Sequence, residues 1–150
     1  YAEGPARLRA AIQGVPSEAR KFRPAEGKWS PHEIVCHCGD AETVAAMRLR
    51  FLLCERDPVI QAYDQDVWAK ELRYHDFPLE PSLEAVRATR AHTTNLLRAL
   101  GPDDWKKTGR HSESGLWDVD KWLTIYSEHV HGHADQIDRA FAAWRSRPTR

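Results

Sequence analysis

Histidines at helical spacing near the end of the chain are the residues best suited to chemistry. His129, His131 and His133 occur within five residues. In a helix each residue advances about 100° around the axis, so His129 and His133 share one face and His131 lies on the opposite side. That face also carries apolar or aromatic residues, Trp122, Ile125, Tyr126, Ile137 and Ala140. Both rings should therefore point into the core, at the i, i+4 spacing of helical His-x-x-x-His zinc sites.

A third histidine, His37, lies on the apolar face of an earlier helical segment. Four aliphatic residues lie within about 60° of it around the helix axis, Ile34, Ala41, Val44 and Leu52. Cys36 and Cys38 flank it at about 100° on either side, so a regular helix cannot direct them to the same metal ion. His37 can supply a third nitrogen donor from a neighbouring helix.

Two explanations account for histidines on apolar faces. A single inward histidine is usually a core residue whose ring nitrogens bond to a carbonyl or carboxylate. Three buried imidazoles without partners would cost on the order of 1–3 kcal/mol for each unsatisfied ring. One divalent ion satisfies a nitrogen of each ring at once, so we predict that His37, His129 and His133 bind a metal ion. Three ligands leave coordination positions open, which is typical of catalytic zinc.

Four helices are predicted to position these residues. Ser30-Pro31-His32-Glu33 forms a capping box that opens a helix running to about Glu55. The other predicted helices cover residues 5–13, 81–100 and 118–144, with Gly14, Pro81-Ser82, Gly101-Pro102 and Asp118 as boundary signals. Residues 63–76 are predicted to form a connection that contains at most a short helix. No segment shows the alternation of apolar and polar residues, with a period of two, that is typical of strands. The pattern predicts an all-α four-helix bundle with long connections, in one domain over residues 1–150.

Composition excludes several classes of protein. With 150 residues, 41% hydrophobic and 29% charged, the chain suits one globular domain and not a disordered one. Twenty-two basic residues balance twenty-two acidic ones, so no global field favours nucleic acid or an anionic membrane. Three cysteines are too few for a disulfide framework and favour a reducing, cytoplasmic location. No apolar run approaches the ~20 residues needed to span a bilayer, and no signal peptide is seen, although the chain opens at Tyr1 without a methionine.

Three motifs together resemble the DinB-like superfamily of bacterial metal-binding four-helix bundles. They are Trp29-Ser30-Pro31-His32-Glu33 followed by His37, Tyr63-Asp64-Gln65 with Trp68, and His129-x-x-x-His133-x-x-Gln136-Ile137. The resemblance covers about residues 5–145. It implies His37, His129 and His133 as the ligands, zinc or nickel as the metal, and a dimer. Related members include thiol-dependent transferases, isomerases that use a low-molecular-weight thiol, and proteins labelled as metal-dependent hydrolases, so the resemblance specifies fold and metal more firmly than substrate.

Three functions remain open for such a site. In a transferase, the metal stabilises the thiolate of a low-molecular-weight thiol, which attacks an electrophilic small molecule without a dedicated general base. In a hydrolase, the metal lowers the pKa of water to about 7, and a nearby carboxylate usually acts as base. A third alternative is a non-catalytic metal- or ligand-binding stress protein. We favour thiol transfer because the sequence offers no securely placed carboxylate.

Three residues are candidates for roles beside the metal. Glu33 lies one turn before His37 on the same face, but its place in the capping box already explains it. Asp64 belongs to a loop, so the direction of its carboxylate cannot be predicted. Arg48 lies about 20° from the direction of His37 and could hold the carboxylate of a substrate or thiol, although such an arginine more often pairs with an acid at the edge of the core.

Overall fold

The computed structural model describes residues 1–148, which form four bundle helices, one short helix and a small sheet. The helices are α1 (Gly4–Gln13), α2 (Pro31–Cys54), α3 (Gln65–Glu71), α4 (Leu79–Arg98) and α5 (Val119–Arg145). The strands are β1 (Val59–Ile60), β2 (Thr108–His111) and β3 (Gly115–Asp118). Helix α2 packs against α4 and α5, and α1 packs against α5 and α4. The predicted all-α four-helix bundle with long connections is confirmed, and α3 is the short helix expected in residues 63–76.

The capping box opens α2 where the sequence predicts it. The Ser30 Oγ accepts a hydrogen bond from the Glu33 backbone N–H at 3.3 Å, and the Glu33 carboxylate accepts from the Ser30 backbone N–H at 2.9 Å. Pro31 occupies the first helical position, where no intrahelical N–H is needed. The helix then runs through the middle of the bundle, so nearly every residue of its first three turns is buried. This helix carries His37.

Helix α5 is also capped as expected. The Asp118 Oδ1 accepts a hydrogen bond from the Lys121 backbone N–H at 2.7 Å. The buried stripe of α5 repeats at three- and four-residue intervals and consists of Trp122, Tyr126, Val130, Ala134, Ile137 and Ala140. Because His129 and His133 border this stripe, the packing of α5 against α2 turns their rings toward His37.

Two sequence-based expectations are corrected by the structure. Helix α4 begins at Leu79, two residues before the expected Pro81, because proline is tolerated in the first turn of a helix and does not mark its boundary. The expectation of no strands is wrong: β1 pairs in parallel with β2, and β2 pairs antiparallel with β3. Strands of two and four residues are too short for an alternation of hydrophobic residues to be recognised in the sequence. The positions of β2 alternate between exposed and buried, but its residues are Thr-Gly-Arg-His.

The buried apolar residues form two main clusters along the bundle. One joins α1, α2, α4 and α5 and includes Leu8, Ile34, Val86, Val130 and Ile137. The other lies towards the sheet and includes Leu49, Leu52, Ile60, Trp117 and Trp122. Along their helices His37 and His133 lie among residues of the first cluster, whereas His129 lies between Tyr126 of the second cluster and Val130 of the first. None of the helices in the described part of the chain is long and apolar enough to cross a membrane.

Candidate metal centre

Helices α2 and α5 bring three histidine side chains together. Each of His37, His129 and His133 offers a ring nitrogen, and these nitrogens all lie within 4.8 Å of one another. The ring centroids are 5.4 Å apart for His37 and His129, 4.7 Å for His37 and His133, and 4.5 Å for His129 and His133. His131 is not part of the group. The structure therefore assembles the three side chains that helical spacing selected from the sequence.

Burial keeps the rings in the form that binds metals. His37 is 1% exposed, and burial together with the neighbouring imidazoles lowers its pKa to about 2. Burial and the ring of His133 lower the pKa of His129 to about 3, and burial also lowers the pKa of His133. Since a proton and a metal ion compete for the same nitrogen lone pair, three neutral rings at pH 7 are ready to bind a cation.

The polar atoms of His37 support a metal at this position. Neither of its buried ring nitrogens has a hydrogen-bond partner within residues 1–148. A buried polar group without a partner costs about 1–3 kcal/mol of folding free energy. A ligand that binds a ring nitrogen of His37 would remove part of this cost. Three converging imidazole nitrogens form a donor set that suits zinc, nickel and similar divalent ions. The residues present therefore fit a divalent metal.

Gln136 orients one of the three rings. The Nδ1 of His133 lies 3.0 Å from Gln136 Oε1, and because an amide oxygen only accepts, Nδ1–H is the donor. This tautomer leaves Nε2 of His133 with a free lone pair for a metal. The sequence contains Gln136 three residues after His133, one turn along the same helix. This spacing could have predicted, from the sequence alone, that Gln136 hydrogen-bonds to His133, in addition to being part of the family motif.

Aromatic residues enclose the histidines. The Trp29 ring packs 4.7 Å from the His37 ring and stacks on the His133 ring, with centroids 6.3 Å apart and an interplanar angle of 18°. On another side, the Tyr126 ring lies 5.9 Å from that of His129. Apolar walls of this kind limit the access of water and strengthen electrostatic interactions at the centre.

Glu33 is fully engaged in structural contacts. Its carboxylate accepts hydrogen bonds from Arg23, from the Ser30 N–H at 2.9 Å and from the Ser30 hydroxyl at 3.0 Å. Burial acts to raise the pKa of this carboxyl, but the hydrogen bonds from Arg23 and Ser30 outweigh it and lower the pKa to about 2. Glu33 is thus a helix cap paired with Arg23. An ionised carboxylate whose two oxygens are both occupied is poorly suited to act as a general base.

The other acidic residues near the motifs also have structural partners. Asp64 caps α3, where its Oδ1 accepts from the backbone N–H groups of Asp66 at 2.9 Å and Val67 at 3.0 Å, and the residue is exposed. Asp40, on α2, accepts a hydrogen bond from the Tyr74 hydroxyl at 2.6 Å. As with Glu33, hydrogen bonds within the fold account for the positions of both carboxylates.

Arg48 enters the buried side of α2, as its angular position predicts, but it does not pair with an acid. Its Nη1 donates to the Tyr126 hydroxyl at 2.8 Å and its Nη2 donates to the Gln61 carbonyl at 2.5 Å. No carboxylate within residues 1–148 forms an ion pair with it. The expected acidic partner was therefore wrong: the guanidinium instead joins α2 to the segment after β1 and to α5.

Sequence comparison identifies relatives over most of the chain. A model of the DinB superfamily matches residues 1–137. A protein from Oceanobacillus iheyensis named "Putative metal-dependent hydrolase" is 35% identical over 111 residues, which cover 74% of this chain and 64% of that protein. A protein of the same name from Bacillus mycoides is 30% identical over 74% of this chain and 64% of its own length. The chain thus spans just under two thirds of these relatives.

A solved structure shares the fold. YfiT from Bacillus subtilis, described as "a probable metal-dependent hydrolase with an unusual four-helix bundle topology", superposes with a TM-score of 0.88. The match covers 96% of this chain and 83% of YfiT, at 23% sequence identity. At this level of identity the comparison establishes a common bundle topology.

Proposed function

Because the chain belongs to the DinB superfamily, we propose that it is a metal-dependent enzyme acting on a small molecule, with His37, His129 and His133 as the metal ligands. The observation that carries this proposal is the convergence of three imidazoles, that of His37 buried and the other two half-buried, whose nitrogens lie within 4.8 Å of one another. Zinc and nickel are the proposed metals, since both accept imidazole nitrogen. When bound, such an ion supplies positive charge that favours a deprotonated nucleophile.

We further propose that the nucleophile is a low-molecular-weight thiol. Its sulfur forms a bond to an electrophilic carbon, the leaving group departs with its electron pair, and the thiol proton passes to solvent. Three neutral ligands leave the positive charge of the centre undiminished, which suits an anionic sulfur. The two carboxylates considered as bases also favour thiol transfer over hydrolysis, because Glu33 and Asp64 are both held in helix caps.

Hydrolysis is the second candidate function. The observation in its favour is that two relatives of this region carry the name "Putative metal-dependent hydrolase". In that case a water molecule replaces the thiol, and its proton must pass to solvent or to a base other than Glu33, whose oxygens are occupied. The two reactions need the same three histidines and differ in the nucleophile.

The test begins with the metal. We expect purified protein to bind one divalent ion per chain, measured by elemental analysis. His129→Ala should weaken metal affinity by more than the roughly 10- to 100-fold typical of a partner outside the ligand set. His131→Ala is the matched control, because His131 lies on the same helix outside the group, and it should leave affinity unchanged. Equal metal content in both variants would refute the assignment of ligands.

A panel of reactions then separates the two functions. Metal-loaded protein is incubated with an aryl halide or an epoxide, with and without a small thiol, and with an aryl ester in the absence of thiol. Thiol-dependent consumption of the electrophile, lost in His129→Ala, is the expected result. Ester hydrolysis without thiol, with no thiol-dependent reaction, would reverse the order of the two proposals.

A further inference from the structure

Arg48 is a buried cation that lacks an anionic partner. Arg48 is 8% exposed, and it donates its two hydrogen bonds to neutral oxygens, those of the Tyr126 hydroxyl and the Gln61 carbonyl. The other buried arginine within residues 1–148, Arg90, is 1% exposed and instead forms an ion pair with Glu42 at 2.7 Å. Taking a charge out of water without a counter-charge is costly, so Arg48 differs from an arginine retained only for structure.

The guanidinium also has spare hydrogen-bonding capacity. An arginine carries five N–H donors, of which Arg48 uses two within residues 1–148. Its Nε is buried and has no acceptor in that part of the chain. Aromatic rings lie beside the group, with the guanidinium carbon 5.5 Å from the Tyr63 ring centroid and 5.8 Å from that of Trp117. These rings hold the plane of the guanidinium but cannot neutralise its charge.

Arg48 lines an apolar cleft that opens to solvent. The cleft has a volume of about 290 Å³, and its walls include Val44, Met47, Phe51, Tyr63 and Trp68. Met47 is 47% exposed and Phe51 is 38% exposed, although both side chains are apolar. The rings of Tyr63 and Trp68 pack 4.3 Å apart. An apolar hollow with one convergent charged group is the usual form of a small-molecule site.

Tyr126 connects this cleft with the candidate metal centre. Its hydroxyl accepts the hydrogen bond from Arg48, and its ring lies 5.9 Å from that of His129, one turn further along α5. A residue that contacts the guanidinium therefore also contacts one of the three histidines. None of the three histidines lines the cleft itself, so the contacts of Tyr126 are what join the two places.

We propose that Arg48 and this cleft bind the carboxylate end of a small molecule with an aromatic or other apolar body. The inference deepens the proposed function, on which it rests, by naming the substrate class: an anionic, apolar electrophile. The charge of Arg48 and its unused donors complement a carboxylate, and the aromatic and aliphatic walls complement the rest of the molecule. The charge is what selects this occupant over an apolar peptide or a neutral compound.

The test measures binding and requires no turnover. Metal-loaded protein is titrated calorimetrically with 2-naphthoate and with the uncharged 2-naphthamide. A charge-assisted hydrogen bond to a buried arginine should give the carboxylate about a 10- to 100-fold advantage. Arg48→Met should abolish this preference. Arg50→Met is the matched control, because Arg50 lies on the same helix and donates to the Ala46 carbonyl, and it should keep the preference.

A second variant covers the case in which Arg48→Met fails to fold. Met47 is exposed at the mouth of the cleft, so Met47→Asp should fold and should weaken naphthoate binding by several-fold more than naphthamide binding. Equal affinity of the wild-type protein for the two probes would overturn the proposal. So would a carboxylate preference that survives in Arg48→Met, since the carboxylate would then be binding at the metal.

The outcomes also separate this inference from the proposed function. A carboxylate preference that depends on Arg48, without any thiol-dependent turnover, would retain the anion site and refute thiol transfer. Thiol-dependent turnover with equal affinity for the two probes would retain the transferase and refute the anion site.

Discussion

Burial determines the chemical state of the candidate ligands at the scale of single residues. His37 and His129 lie where protonation is strongly disfavoured, and Gln136 accepts the Nδ1 proton of His133. The consequence is a set of three neutral donors, one of them with its tautomer fixed. The two buried ring nitrogens of His37 have no hydrogen-bond partner within residues 1–148, which costs free energy of folding. A bound cation would offset that cost.

Replacement of Gln136 tests the orientation of His133. Gln136→Leu removes the acceptor of the Nδ1 proton, so the ring is free to rotate and to exchange tautomers. We expect metal affinity to fall by about 10- to 100-fold, the usual effect of losing an outer partner of a ligating histidine. Gln136→Glu keeps an acceptor at this place and serves as the control in a competition titration with a chromophoric chelator. If Gln136→Leu binds metal as tightly as the wild type, the hydrogen bond does not orient the ligand.

Protonation of the histidines should make the metal-free protein unstable in acid. Their pKa values in the folded protein, about 2 for His37 and about 3 for His129, lie below the ordinary value near 6.5 that applies to the unfolded chain. The unfolded state therefore binds protons first, so the free energy of unfolding falls as pH decreases from about 6.5 towards 3. The measurement is urea denaturation of chelated protein at several pH values.

A double variant, His37→Gln with His129→Gln, provides the comparison for this pH dependence. It removes the two groups whose pKa values are lowered most among the three histidines, so its stability should change less between pH 7 and pH 5. An identical slope in the variant and the wild type would show that other groups cause the loss of stability.

Helix α2 is stabilised at its start by contacts that also position the candidate ligand. Ser30 and Glu33 form the capping box, Arg23 pairs with Glu33, and the Ser30 hydroxyl lies 2.7 Å from His75 Nε2. These contacts fix the first turn of the helix one turn before His37. At the scale of the element, the carboxylate considered as a catalytic base instead determines, together with Ser30, where α2 begins.

Glu33→Gln separates a cap from a catalytic base. The amide keeps a hydrogen-bond acceptor but loses the charge that pairs with Arg23, and Glu33 is 3% exposed. We expect the free energy of unfolding to fall by about 1–3 kcal/mol, the range for a buried charged hydrogen bond, with turnover by folded, metal-loaded protein little changed. Glu84→Gln is the matched control, because the ion pair of Glu84 with Arg87 is exposed, and it should leave the free energy of unfolding almost unchanged. If Glu33→Gln has the stability of the wild type but loses most of its turnover, Glu33 is again a candidate for the catalytic base.

The whole molecule has a core that does not depend on the metal. Two apolar clusters join α1, α2, α4, α5 and the small sheet. Structural zinc domains, in contrast, are unfolded without metal because they have little other core. The bundle therefore has enough apolar core to fold without the proposed metal, as expected if that ion is catalytic. The homodimer suggested by the family resemblance remains a prediction for sedimentation measurements.

Removal of the metal should lower stability without unfolding the protein. Ligand binding to the folded state alone contributes about 4 kcal/mol when the free metal exceeds its Kd a thousandfold. Chelation should therefore lower the melting temperature while the helical circular dichroism signal at 25 °C is retained. The appropriate control is His129→Ala, whose melting temperature should respond little to the chelator. Loss of the helical signal on mild chelation would place the metal among structural ions.

Local sequence predicts the bundle helices and the faces on which their residues lie. The capping box predicted the start of α2 correctly, and the i, i+4 spacing placed His129 and His133 together and excluded His131. These features depend on backbone dihedral angles and contacts within a few residues, which local sequence encodes. The same local rule placed Arg48 on the inward face of α2.

Which inward groups meet depends on how the helices pack against one another. The pairing of Arg48 with Tyr126 joins residues 78 positions apart, and the approach of His37 to the pair on α5 depends on how α2 packs along that helix. The same is true of the bond from Arg23 to Glu33, and of the strand pairing of β1 with β2 across two helices. Periodicity gives the direction of a side chain around its own helix, but it contains no information on the relative register of two helices, which packing of the whole core sets.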